Sequence, residues 1–141
     1  KKHHPEYKAS AKQIKWNFDD CVVNTSSILP IMQSDITLTL GERTLIIDTK
    51  YYSKNLQEHF GKFTINSPNF YQIHTYVMNE DRGHIGNVDG MLLYAKTTAD
   101  IQPDGNFKTS DGNILMVRTL DLTKEFEGVK SDLDLLVKYL N

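Results

Sequence analysis

Between Ser34 and Leu40 polar and apolar residues alternate, Ser-Asp-Ile-Thr-Leu-Thr-Leu, which is the period of a half-buried strand. A short apolar run, Leu45-Ile46-Ile47, follows and leads into Asp48, Thr49 and Lys50. Gly41-Glu42 lies between the runs, and Gly-X is a signal for a type II′ hairpin turn. The pattern therefore predicts a hairpin from residues 29–40 and 44–52. Two registers are compatible with it. A two-residue loop sets Leu40 opposite Arg43, Leu38 opposite Leu45, Ile36 opposite Ile47 and Asp35 opposite Asp48, with the apolar pairs on one face. A four-residue loop, Gly41 to Thr44, sets Asp35 opposite Lys50 instead. Either register brings Asp35, Asp48 and Lys50 to one patch, because positions 48 and 50 point the same way.

Elsewhere the pattern is uneven. Residues 1–16 are polar with scattered apolar positions at Tyr7, Ala11, Ile14 and Trp16, which predicts a weakly patterned helix. Residues 17–27 read as a loop, and so does the polar stretch 53–66 around Gly61. Ser67 can cap a helix and Pro68 fits its first turn, so a helix is predicted through Tyr71, Ile73, Tyr76 and Val77, ending before Gly83. Residues 88–95 (Val-Asp-Gly-Met-Leu-Leu-Tyr-Ala) read as a mostly buried strand. Residues 99–112 are turn-rich, with Pro103-Asp104-Gly105 and Asp111-Gly112, and 113–122 alternate as a further strand. Phe126, Val129, Leu133, Leu136, Val137 and Leu140 recur at helical spacing, predicting a terminal amphipathic helix over 123–140. Helix, two strands, helix, strand, strand, helix implies an α/β fold with a central mixed sheet flanked by helices.

Composition narrows the class. The 141 residues make a one-domain length, and 39% hydrophobic with 24% charged residues is ordinary for a globular chain. A net charge of −2 argues against a wholesale basic nucleic-acid binder but not against a local groove. Cys21 is the sole cysteine, so neither an intrachain disulfide nor a thiolate zinc site can form, which suits a reducing cytoplasm. No apolar run approaches the ~18 residues of a membrane span. The chain opens on Lys1-Lys2-His3-His4 and reads as one domain, 1–141, of a longer protein. There is no Gly-x-x-x-x-Gly-Lys loop, so any nucleotide energy has to come from a partner.

The chemistry concentrates at the end of the hairpin. Two carboxylates facing each other across a strand pair repel. A hard divalent cation such as Mg²⁺ neutralises both. Two acids and a lysine are what metal-assisted phosphodiester hydrolysis requires: acids to hold the metal, and an ammonium to orient water or meet the charge developing on phosphorus. The ordinary reading of the same triplet is a surface hairpin with a cross-strand ion pair. Against it, Ile46-Ile47 places Asp48 at the end of a buried strand, where an unpaired charge is expensive. Gln72 and Tyr76, four apart, share one helix face. They are either a solvated face or a pair that binds a DNA phosphate or fixes the metal's water. His74 is most simply a surface residue, and Lys54, Lys62 and Arg82 are candidate DNA-backbone contacts.

The order hairpin with Asp … Asp-x-Lys, helix, strand resembles the PD-(D/E)xK nuclease superfamily. More specifically, Leu29-Pro30-Ile31-Met32-Gln33-Ser34-Asp35-Ile36, Ile46-Ile47-Asp48-Thr49-Lys50-Tyr51-Tyr52, Tyr71-Gln72-Ile73-His74-Thr75-Tyr76, Met91-Leu92-Leu93-Tyr94 and Arg118-Thr119-Leu120-Asp121-Leu122 are similar to the McrC family, over roughly residues 28–140. McrC is the nuclease subunit of the McrBC system, which restricts DNA carrying 5-methylcytosine and so contributes to antiviral defence. The resemblance implies a restriction-endonuclease-like core and a Mg²⁺-dependent DNA endonuclease, with Mn²⁺ able to substitute. Asp35, Asp48 and Lys50 would be catalytic, with Asp35 and Asp48 on the metal. It also implies a McrB-type AAA+ GTPase as partner, contacted through an N-terminal region that would precede this chain. Ser34 stands where the superfamily has Pro. Many superfamily members add a Glu from the first helix, and Glu6 is the one acid in residues 1–16. The alternatives are a repair or junction nuclease of the same superfamily without a motor, and a non-catalytic DNA-binding or scaffold module with this fold.

Overall fold

The computed structural model describes residues 8–19, 28–52 and 54–137. Its centre is a six-stranded mixed sheet. The predicted hairpin supplies two of its strands, β4 (Ile36–Leu40) and β5 (Arg43–Lys50), after three short strands β1 (Lys8–Ser10), β2 (Gln13–Ile14) and β3 (Met32–Gln33). Leu40 pairs with Arg43, Leu38 with Leu45 and Ile36 with Ile47, which is the two-residue-loop register. Gly41 takes a φ of 59° while Glu42 keeps a negative φ, as a type II′ turn demands.

After β5 come a small hairpin, β6 (Leu56–His59) and β7 (Lys62–Ile65), and the helix α1 (Ser67–Glu80). The chain then returns as β8 (Val88–Ala95), β9 (Gly105–Lys108), β10 (Ile114–Leu120) and α2 (Phe126–Val137). The sheet order is β1-β4-β5-β8-β10-β9. The three inner strands β5, β8 and β10 run parallel, and the outer strands pair antiparallel. Parallel strands are buried on both faces, which explains the unbroken burial of β8 from Val88 to Tyr94.

Two cores lie on the two faces of the sheet. Ile46, Leu92, Tyr94, Leu115 and Val117 meet Ile73, Tyr76 and Val77 of α1. Leu45, Ile47, Met91, Leu93 and Met116 form the opposite face, against which Val129 of α2 packs. At Gly90 a Cβ would lie 2.7 Å from both Ile73 Cγ1 and Val77 Cγ2, so glycine there is what lets α1 sit tight on β8. The α1 start is capped by Asn66, whose Oδ1 accepts from Asn69 N at 3.2 Å, one residue before the predicted Ser67. Its end is fixed by Asp81, which accepts from Ile85 N, Gly86 N and Asn113 Nδ2 at 2.9–3.0 Å. Burial alone would raise the Asp81 carboxyl, but these hydrogen bonds outweigh it and hold its pKa below the usual carboxylate value.

Three sequence expectations are corrected. Residues 8–14 form strands rather than a helix, because their backbone pairs with Thr37–Thr39 and with Met32-Gln33. The stretch 53–66 contains the β6–β7 hairpin, turned by Phe60 and Gly61, both at positive φ. The turn-rich stretch 99–112 contains β9, which edges β10. Glu6 and Cys21 lie outside the described residues. Among those residues no helix is long and apolar enough to cross a membrane.

Candidate active site

Strand alternation puts Leu45 and Ile47 toward α2, and Ile46, Asp48 and Lys50 toward α1. The carboxylate and the ammonium therefore emerge where the carboxyl end of a parallel strand meets a helix. That is the usual place for a site in a parallel sheet. Asp48 is only 4% exposed. Its Oδ2 meets Lys50 Nζ at 2.6 Å, and the Asp35 side chain lies beside the same carboxyl. Lys50 Nζ donates to Gln72 Oε1 at 2.8 Å, and Gln72 Nε2 donates to Tyr76 Oη at 3.0 Å. Asp48, Lys50, Gln72 and Tyr76 thus form one continuous chain from strand to helix.

Asp35 stands at the bend before β4. Ser34 and Thr37, each about 1% exposed, are hydrogen-bonded to each other at 2.6 Å. Ser34 N also donates to Lys12 O at 3.0 Å. This buried pair fixes the bend that presents Asp35. Asp35 Oδ2 accepts from both Thr49 N and Thr49 Oγ1 at 2.9 Å.

Burial and neighbouring charges act on both ends of the Asp48–Lys50 pair. Burial pushes the Asp48 carboxyl above the usual carboxylate range, Lys50 pulls it back, and Asp35 pushes it up again, leaving it raised. Burial works against the Lys50 ammonium too, but the Asp48 carboxylate outweighs it, with smaller help from Tyr52 and Asp35, and its pKa ends above the ordinary lysine value.

The residues present fit a hard divalent cation. Asp48 is a buried carboxylate, and Asp35 is close enough to disturb its ionisation. No cluster of three or more His, Cys, Asp or Glu side chains with metal-binding geometry occurs among the described residues. Two carboxylates are a donor set that suits Mg²⁺, which keeps most of its waters and takes one or two carboxylates. Of the other candidates, His74 is exposed on α1. Lys62 lies on the β6–β7 hairpin, and Arg82 reaches the Lys15 and Trp16 carbonyls at 3.5 Å, a structural tie at the end of α1.

Two residues escaped the sequence reading. Asn69 accepts from Tyr52 Oη at 3.3 Å and donates to Tyr94 Oη at 3.2 Å, linking the strand after the site to the core. Its spacing of three and seven from Gln72 and Tyr76 was the available signal. Thr49 had none, since alternation points it away from Asp48; it reaches Asp35 only because the chain bends at residue 35.

No protein-family model matches the sequence. The chain is 27% identical over 128 residues to the type IV methyl-directed restriction enzyme EcoKMcrBC of Escherichia coli (strain K12), covering 90% of this chain and 36% of that protein. Among solved structures it matches a chain of the refined half-complex from the tetradecameric assembly of Thermococcus gammatolerans McrB AAA+ hexamers with bound McrC. The TM-score is 0.61 at 14% identity, over 94% of this chain and 29% of that one, which is a likeness of fold. The chain thus spans about a third of the length of the proteins it matches. Both comparisons bear out the resemblance to McrC drawn from the sequence: this chain is similar to a component of the McrBC restriction systems.

Proposed function

We propose that this chain is a Mg²⁺-dependent DNA endonuclease domain with a restriction-endonuclease-like, PD-(D/E)xK core. It would serve a modification-dependent restriction system and be driven by a McrB-type AAA+ GTPase. The observation that carries the reading is the Asp48 carboxylate, buried, raised in pKa even with Lys50 beside it, and neighboured by a second acid. A protein gains no stability from that arrangement. A cation site does explain it.

Asp35 and Asp48 would hold the ion. When bound, it supplies Lewis-acid polarisation of the phosphoryl oxygen and lowers the pKa of water. Lys50 carries three donors; Asp48 and Gln72 lie around it at 2.6 and 2.8 Å, and the third is left to meet negative charge developing on the phosphoryl group. Gln72 holds the ammonium in place and is itself held by Tyr76, so the donor is positioned before the substrate arrives. Tyr76 is buried, which keeps bulk water from the far end of this chain of contacts.

The test is nucleotide-driven cleavage of methylated DNA by the full-length protein with its AAA+ partner. Wild type is expected to cut only with Mg²⁺ and GTP. Asp48→Asn is expected to bind DNA and lose cleavage by at least about 10²-fold, the order set by removing one preorganised charge-stabilising group. Cutting by Asp48→Asn at the wild-type rate in saturating Mg²⁺ would refute the assignment.

A further inference from the structure

Beside the site lies a cavity of about 790 Å³ between the β6–β7 hairpin and the loop at residues 99–101. Tyr52 lines it and also adjoins the site. It follows Lys50 by two residues of extended chain, ~7 Å. Its hydroxyl donates to Asn69, one helical turn before Gln72. Phe63 forms a second aromatic wall; it is half exposed and belongs to neither core cluster.

The polar lining is rich in acceptors. Asn55, 4% exposed, donates through Nδ2 to Ala95 O at 2.8 Å. A carbonyl can only accept, so this bond fixes the amide orientation and leaves Oδ1 as the atom without a hydrogen-bond partner. That oxygen is shielded from solvent, so Asn55 fixes the wall of the cavity rather than offering an acceptor to it. Glu58 and Asp100 add carboxylates, and Lys54 is the single cation. Phosphate does not suit this lining. A flat ring that offers N–H donors and has a π-face does.

We propose that this cavity receives an unstacked nucleobase of the substrate strand, one nucleotide or so from the scissile phosphate, and favours bases that carry an exocyclic amine. Tyr52 and Phe63 offer their faces to the ring, the Glu58 and Asp100 carboxylates accept from its N–H groups, and Lys54 meets the adjoining phosphate. The volume admits a base with its sugar. The proposal rests on the nuclease reading for the identity of the strand alone.

The test uses the full-length protein assembled with its AAA+ partner, in the Asp48→Asn background so that no cutting intervenes. Duplexes carry 2-aminopurine, an amine-bearing fluorescent base, at successive positions around the mapped cut. One flanking position is expected to brighten on binding. Phe63→Ala should abolish that signal and weaken binding about 5- to 150-fold, the range for loss of one stacking partner. Phe63→Tyr should restore both, which separates lost stacking from a misfolded hairpin. An abasic nucleotide at the same position should cause a similar loss in the parent assembly and no further loss in Phe63→Ala. Fluorescence that stays dark at every position, unchanged binding by Phe63→Ala, or additive losses would each overturn the proposal. Failure of the nuclease reading has a different signature, the absence of Mg²⁺-dependent cleavage with wild-type Asp48.

Discussion

Asp48→Asn sets stability against function, and the direction changes with the metal. The substitution keeps the shape and removes the charge. Asp48 is almost wholly buried, and its pKa is raised by burial even with Lys50 opposing. For a carboxyl raised in the folded state, the stabilising contribution is fully present below the unfolded value of 3.8 and is lost as pH rises through the folded value. At neutral pH the native state therefore carries a penalty that a neutral amide escapes. Relieving the desolvation of one buried polar group is worth about 1–3 kcal/mol. The lost ion pair with Lys50 offsets part of it. A net gain of about 1 kcal/mol raises Tm by about 4 °C for a domain of this size. Mg²⁺ reverses the order. A ligand of the folded state alone stabilises by about 2.7 kcal/mol at 100 times its Kd, and only wild type keeps both carboxylates. Calorimetric melting of both proteins in EDTA and across a Mg²⁺ titration should show the variant melting higher without metal and wild type higher with it. A variant that melts lower in EDTA, or an equal Mg²⁺ response in both proteins, would refute the reasoning.

Lys50→Ala should lower cleavage by about 10²–10³-fold and, because it strips Asp48 of its ion-pair partner, lower stability by about 1–3 kcal/mol at pH 7. The stability loss should shrink on acidification as Asp48 takes a proton. Lys50→Arg keeps the charge but not the compact ammonium that meets Gln72, so cleavage should fall comparably with a smaller change in melting; wild-type cleavage by the arginine variant would reduce Lys50 to a counter-ion. Asp81→Ala should cost about 3–5 kcal/mol in urea unfolding, since a buried carboxylate accepting three hydrogen bonds is removed. The Asp81 pKa is depressed, so its contribution is present above 3.8 and is lost as pH falls through the folded value; Asp81→Asn should flatten the acid limb of the stability profile, and an unchanged limb would contradict this.

The hairpin was readable in the sequence because three local signals agree: Gly41-Glu42, the period-2 run before it, and apolar partners at Leu38/Leu45 and Ile36/Ile47. Helix α1 was readable from its Pro and its face, and Gln72 and Tyr76 from the four-residue spacing that the structure uses to hold Lys50. The short strands were not. Lys8–Ser10 and Gln13–Ile14 are too brief to show a period, and they are strands only because distant chain supplies their partners. The β6–β7 hairpin was hidden by its polar composition and by a Phe at positive φ, where turn statistics expect Asn or Gly. At the site, Asp35, Asp48 and Lys50 follow from alternation, whereas Thr49 reaches Asp35 through a bend held by Ser34 and Thr37, a tertiary feature with no local signature.

The central claim is that Asp35 and Asp48 share a divalent cation, and anomalous scattering from crystals of the protein grown with Mn²⁺ tests it most directly. A Mn²⁺ peak is expected between the two carboxylates, about 2.1 Å from an oxygen of each, and it should vanish in Asp48→Asn. An empty position there at saturating Mn²⁺, or peaks confined to other acids on the surface, would contradict the account.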